Sequence, residues 1–153
     1  MSVSLAMNAM KSAETVRIRM ATPADRDDIL AMYESFEPRP ASLGLPPRVH
    51  LDEWLDRLAP SSNFLAFAGE KLVGHAILCA DSDSAEVAIF VHQNFRNRGI
   101  GRRLLETLVD QARQTGLHSV WGMTELDNVP MLRLARALGF TQERDPSVFR
   151  MDL

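Results

Sequence analysis

Cysteine and tyrosine each occur once in this chain of 153 residues. A single cysteine, Cys79, excludes an internal disulfide framework. It lies in the apolar run "LVGHAILCA" and is expected to be a buried, inert thiol. No apolar run reaches the roughly 18 residues that a membrane span needs. The opening "MSVSLAMNAMKSAETV" lacks a basic start and a continuous apolar stretch, so it does not read as a secretory signal. Residues 1–15 are expected to form a flexible tail, and the context to be cytoplasmic. Positive charge is not in surplus either: the net charge is -3, which argues against a general nucleic-acid binder. His50, His75, His92 and His118 lack ligand-like spacing, so no metal site is expected.

What is present reads as one domain of alternating strands and helices. "VRIRM" alternates as an edge strand does. "TPADRDDILAMYESF" predicts a helix, with Thr22 as N-cap and Pro23 at the first helical position. Glu37 to Val49 carries four prolines and reads as a loop that shapes an entry, with Arg39 and Arg48 most simply solvated. A short helix fits "HLDEWLDRLA", where Trp54 reads as a core anchor or, alternatively, one wall of a pocket. "NFLAFAG" and "KLVGHAILCA" predict a hairpin turning at Gly69–Glu70, and "AEVAIFV" a third strand. "GRRLLETLVDQARQTG" places Leu104, Leu105, Leu108, Val109 and Ala112 on one helical face. "HSVWGMT" predicts a strand and "DNVPMLRLARALG" a helix whose Met131, Leu132, Leu134 and Leu138 face the core. "FTQERD" and "SVFRMDL" close the chain as strands. The order predicts a mixed α/β domain with a central sheet.

One stretch, "FRNRGIGRRLL", joins the third strand of the middle block to a helix. A helix start offers free N–H groups and the positive end of the dipole, and glycine lets an anion approach the backbone. Arg96, Arg98, Arg102 and Arg103 add local positive charge. The stretch suits a pyrophosphate. It is not a dinucleotide fingerprint, because Leu104 stands where a third small residue is needed. It is not a P-loop, because no Gly-Lys-Ser/Thr ends it. A plain glycine turn before a basic helix is the bland alternative.

Taken with "DNVPMLRLARALGF", whose Gly139 follows Gly99 by forty positions, the chain resembles the GNAT superfamily of acyl-CoA N-acyltransferases from residue 16 to 153. The resemblance implies a twisted mixed sheet, two parallel strands that splay apart, flanking helices, and acetyl-CoA as co-substrate. It implies that the backbone near Phe90 and Val91 holds the pantetheine, with one amide, that of Phe90, facing the thioester oxygen. Arg96, Asn97, Arg98, Gly99, Ile100, Gly101 and Arg102 would seat the pyrophosphate, and Asn128 the coenzyme arm. Glu86 is the candidate base for the acceptor amine, on the same strand face as Phe90 unless a bulge changes the parity. Relatives often carry a protonating tyrosine where this chain has Ala135. Tyr33 has no placement at the thiolate from sequence. His92 follows the coenzyme strand and reads as a loop histidine titrating near neutrality, or as a ligand contact. Trp121 falls on the other splayed strand.

The wording of these segments is similar to the catalytic domain of Pat-type bacterial protein lysine acetyltransferases. It implies a protein lysine as acceptor. A small-molecule amine is the alternative within the enzyme class, and a non-catalytic acyl-CoA sensor the alternative outside it. No nucleic-acid or membrane partner is expected, and the chain would act as a monomer or homodimer.

Overall fold

A computed structural model describes residues 15–37, 46, 47 and 49–153. The expected tail, apart from Thr15, lies outside the described residues, as do Arg39, Arg48 and most of the proline-rich segment. The strands are β1 (Val16–Met20), β2 (Ser62–Ala68), β3 (Lys71–Asp81), β4 (Ser84–Val91), β5 (Ser119–Met123), β6 (Thr141–Gln142) and β7 (Val148–Asp152). The helices are α1 (Arg26–Glu34), α2 (Leu51–Leu58), α3 (Ile100–Gln114) and α4 (Val129–Ala137). Short 3-10 turns cover Pro23–Asp25 and Gln93–Phe95. One sheet runs β1-β2-β3-β4-β5-β7-β6. Only β4 and β5 pair in parallel; every other neighbouring pair is antiparallel.

The sheet separates two cores. Leu104, Leu105 and Leu108 of α3 are fully buried against Ala66, Ala76, Ala85, Val87 and Val120. Complete burial of each such leucine contributes about 1.5–3 kcal/mol. On the other face, Tyr33, Phe36, Leu55 and Phe90 form an apolar cluster with Leu65 and Ile77. Trp54 belongs to it, edge-on to Tyr33 at 5.3 Å and to Phe90 at 5.8 Å, as its reading as a core anchor expects.

Thr22 is the N-cap and Pro23 follows it, as expected, and Asp25 closes the cap: its carboxylate accepts from the Thr22 N–H at 2.7 Å and from its hydroxyl at 3.2 Å. Asp25 also receives both arms of Arg19, each at 2.8 Å, and this holds its carboxyl far below the usual range. Cys79 is exposed, not buried. Strand β3 is 11 residues long, and Ile77 is the last residue of its α1/α2 face that the aromatic cluster covers.

Gly122 is required by a close approach. A Cβ there would lie 2.6 Å from Phe149 Cε2 and 3.2 Å from Val87 Cγ2. The Phe149 ring thus lies across β5. Gly122→Ala is expected to cost about 1–3 kcal/mol, the usual penalty for overpacking. Urea unfolding measures it, and an unchanged midpoint would mean that the ring yields freely.

Candidate functional site

The parallel pairing of β4 with β5 is short. It covers Ser84↔Ser119, Ala85↔Val120 and Glu86↔Trp121, then stops, although β4 continues to Val91. Which peptide groups face the resulting gap follows from hydrogen-bond parity. The His92 N–H donates to Val73 O at 2.8 Å, so even-numbered residues of β4 turn toward β3. On the other side, the His118 N–H donates to Asp83 O at 2.7 Å, which puts odd-numbered residues toward β5. Ile89 and Val91 therefore present their backbone to the gap and have no strand partner on that edge. Phe90 does not: its peptide groups face β3, and its ring packs edge-on with Tyr33, Trp54 and Phe36. This corrects the expectation that the Phe90 amide faces a thioester.

The glycine stretch begins where the gap ends. Asn97 has φ 61° and Gly99 φ 80°, both left-handed. Asparagine tolerates this region, and glycine adopts it at no steric cost. No atom lies within 4 Å of the place that a Cβ on Gly99 would take, so the space above it is open. The Arg103 N–H is the first to join the α3 ladder, on Gly99 O at 3.2 Å. The amides of Gly99, Ile100, Gly101 and Arg102 thus lack an intrahelical acceptor. At Gly101, Ile89 Cδ1, Leu134 Cδ2 and Val91 Cγ2 converge within 3.6–3.8 Å of the place that a methyl would take, so α3, α4 and β4 meet there.

Arginine side chains contribute less to this opening than their number suggests. Arg98 stacks over Phe95 at 5.1 Å, Arg102 pairs with Glu106 at 2.9 Å, and Arg103 reaches Val16 O at 2.7 Å. Arg96 turns back into the protein, donating to Val91 O at 2.9 Å and to Glu37 O. Asn128 caps α4: its Oδ1 accepts from the Met131 N–H at 3.3 Å, and its Nδ2 donates to Thr124 Oγ1 at 3.1 Å.

Glu86 stands at the last β4–β5 pair. The β3–β4 register has no bulge, so Glu86, Ala88 and Phe90 share one face. Burial pushes the Glu86 carboxyl above its ordinary value. In register across the sheet, Cys79, Glu86, Trp121 and Arg150 form one row on that face.

Residues 27–140 match the Acetyltransferase (GNAT) family. The chain belongs to this family. It is 28% identical to the L-methionine sulfoximine/L-methionine sulfone acetyltransferase of Salmonella typhimurium, over 58% of this chain and 64% of that one. The match thus spans a little under two thirds of that relative's length. It is 27% identical to the [ribosomal protein bS18]-alanine N-acetyltransferase of Escherichia coli K12, over 67% of this chain and 74% of that one. The solved structure of yncA of Salmonella typhimurium, with its cofactor acetyl-CoA, superimposes with a TM-score of 0.75 at 23% identity, covering 91% of this chain and 94% of that one.

For a GNAT protein, the position usually held by tyrosine is notable. Ala135 is 2% exposed, and a cleft of about 200 Å³ lies beside it, lined by Leu132, Arg136, Phe140 and Phe149 among others. Tyr33 does not substitute. Its hydroxyl is 2.6 Å from His75 Nδ1 on the other face of the sheet, and burial raises its pKa well above the ordinary value. The Asn63 Nδ2 donates to Leu58 O and Ser61 O, which leaves Oδ1 to accept from His75 Nε2–H at 2.9 Å. His75 Nδ1 is then the acceptor for Tyr33. His92 is buried as well, and desolvation, followed by Lys71 and Arg96, lowers its pKa below the ordinary value. Among the described residues, no group of three His, Cys, Asp or Glu side chains is placed to hold a metal ion.

Burial lowers the His75 pKa to about 4 from 6.5. The unfolded chain takes up this proton first, so stability is complete above pH 6.5 and falls as pH drops toward 4. The limiting loss is about 3 kcal/mol. Denaturant unfolding between pH 7.5 and 4.5 should show this slope, and His75→Gln should flatten it.

Proposed function

We propose that this protein transfers an acetyl group from acetyl-CoA to a primary amine by direct attack in a ternary complex. The observation that carries this reading is the gap after Glu86 and Trp121, which opens unpaired strand edges directly before a helix start with free amides. In this reading the backbone of Ile89 and Val91 takes the pantetheine. An N–H aimed at the developing oxyanion is worth about 3 kcal/mol in the transition state, and the Ile89 and Val91 amides are the candidates. The amides of residues 97–102, framed by Gly99 and Gly101, seat the pyrophosphate. In this reading Asn128, at the start of α4, exchanges one of its internal bonds for the coenzyme arm. The seat is mainly backbone, with the dipole of the 15-residue α3 behind it.

Glu86 is the base. A lysine ammonium resists deprotonation at pH 7 by about 4.6 kcal/mol, whereas an α-ammonium resists by only about 1 kcal/mol. Half-burial raises the carboxyl toward the pH at which a base is most useful. No tyrosine acid stands ready, so either water protonates the thiolate or it departs as the anion; with a reference pKa near 8.5 it is a fair leaving group.

The wording of the two signature segments favours a protein lysine as acceptor. A second reading, an α-amino group, is favoured by the relatives named for methionine derivatives and for a protein alanine. Free-thiol release from acetyl-CoA, measured against lysine peptides, N-terminal alanine peptides, free amino acids, polyamines and aminoglycosides, separates these readings. Calorimetric binding of acetyl-CoA with no thiol release on any panel would leave a sensor and overturn the enzyme.

Glu86→Gln is expected to lower turnover by about 100-fold or more while coenzyme affinity is kept. In the parent protein, kcat/KM should rise with pH through the elevated Glu86 pKa and then level. If the variant retains both the rate and this acidic limb, Glu86 is not the base.

A further inference from the structure

The segment before the glycine stretch is joined to the end of α1 by three side chains. His92 Nδ1 accepts from the Asn94 N–H at 3.3 Å, so Nε2–H donates to Ser35 Oγ at 2.9 Å. Gln93 bonds in both directions: its Nε2 donates to Ser35 O at 2.6 Å, and its Oε1 accepts from the Glu37 N–H at 3.0 Å. Arg96 completes the set. Its Nε donates to Val91 O at 2.9 Å, one terminal nitrogen donates to Glu37 O, and the guanidinium lies 5.3 Å over the Phe36 ring. Phe36 meets Phe90 edge-on at 6.1 Å, on the sheet face that carries Glu86.

Arg96 therefore bridges two carbonyls with different surroundings. Val91 O lies on the open edge of β4, in the gap assigned to the acyl donor. Glu37 O lies at the end of α1, on the opposite side of the sheet from α3. A guanidinium fork is planar and rigid, so both acceptors cannot shift independently without loss of a bond.

We infer that Arg96 is a positioning residue that couples filling of the acyl-donor gap to the placement of Ser35–Glu37 on the acceptor side. A donor arm that bonds the Val91 backbone competes with, or fixes, the Arg96 contact there. The change is passed through the fork to Glu37 and Phe36. The inference rests on the acyl-CoA reading of the gap. It also differs from the sequence expectation for Arg96, in which its charge serves the pyrophosphate.

The test is hydrogen exchange at the Glu37 amide, followed by NMR on the full chain with and without saturating acetyl-CoA, alongside calorimetry. In the parent protein, acetyl-CoA should change Glu37 exchange by about fivefold or more. In Arg96→Ala and Arg96→Lys the ratio should fall to about one, with acetyl-CoA affinity within about threefold of the parent. A purely structural role would speed exchange equally in both states and leave the ratio unchanged. That result overturns the proposal, as does a parent ratio of one. Arg96→Ala losing affinity with Arg96→Lys restoring it would assign the arginine to phosphate charge instead, and also overturns it. A parent protein that binds no acetyl-CoA at all removes the donor reading itself, a failure visible in calorimetry alone.

Discussion

Two parallel strands stop pairing after three residues, and the rest of the site depends on that break. A sheet interior normally satisfies every peptide group through its neighbours. Here β4 runs on past its last partner, and Ile89 and Val91 keep donors and acceptors that the ladder does not use. An unmade hydrogen bond at a buried group costs about 1–3 kcal/mol. Water or a ligand must therefore complete this edge. The Phe149 ring across Gly122, with Val87 beside it, supports the break from below. Val91 O already has one internal partner in Arg96, which ties the open edge to the rest of the molecule.

The second half of the proposed donor site follows from chain direction. Strand β4 delivers the backbone through a 3-10 turn into the start of α3, so the gap and the free helix amides are adjacent in space because they are adjacent in sequence. Asn97 and Gly99, both left-handed, turn the chain sharply enough for this. The acidic chain as a whole does not attract phosphate. In the proposed reading local backbone dipoles supply the attraction, while Arg98 and Arg102 have ring or carboxylate partners of their own and add field at longer range.

Local signals make much of this legible in the amino-acid sequence alone. The leucine period of α3, the hairpin turn at Gly69–Glu70 and the spacing of Gly99 and Gly101 are properties of a few adjacent residues. What is not legible depends on pairing between distant segments. Whether the Phe90 or the Val91 amide faces the gap is decided by the parity of the β3–β4 ladder, which a shift of one residue would invert. The exposure of Cys79 depends on how far the α1 and α2 cluster extends over β3, not on its apolar neighbours in sequence. Arg96 and Asn128 sit where the motifs put them, yet their side chains bond to Glu37 O, Val91 O and the start of α4, choices made by tertiary contacts.

The same contrast explains why the donor is easier to name than the acceptor. The proposed donor seat is built mainly from backbone groups, and backbone geometry leaves a trace in sequence as glycine spacing. The opposite face is built from side chains. Cys79, Glu86, Trp121 and Arg150 come from four strands and meet only because the register aligns them. Arg150 donates to Ser119 Oγ at 2.8 Å and lies 3.6 Å from Asp152, so even its charge is shared with neighbours that sequence spacing does not reveal. Each residue of that row can change without disturbing the glycine loop or the helix start. A protein of this architecture can therefore keep one donor while its acceptor varies, because the two halves are encoded in different ways: one by local backbone conformation, the other by long-range register.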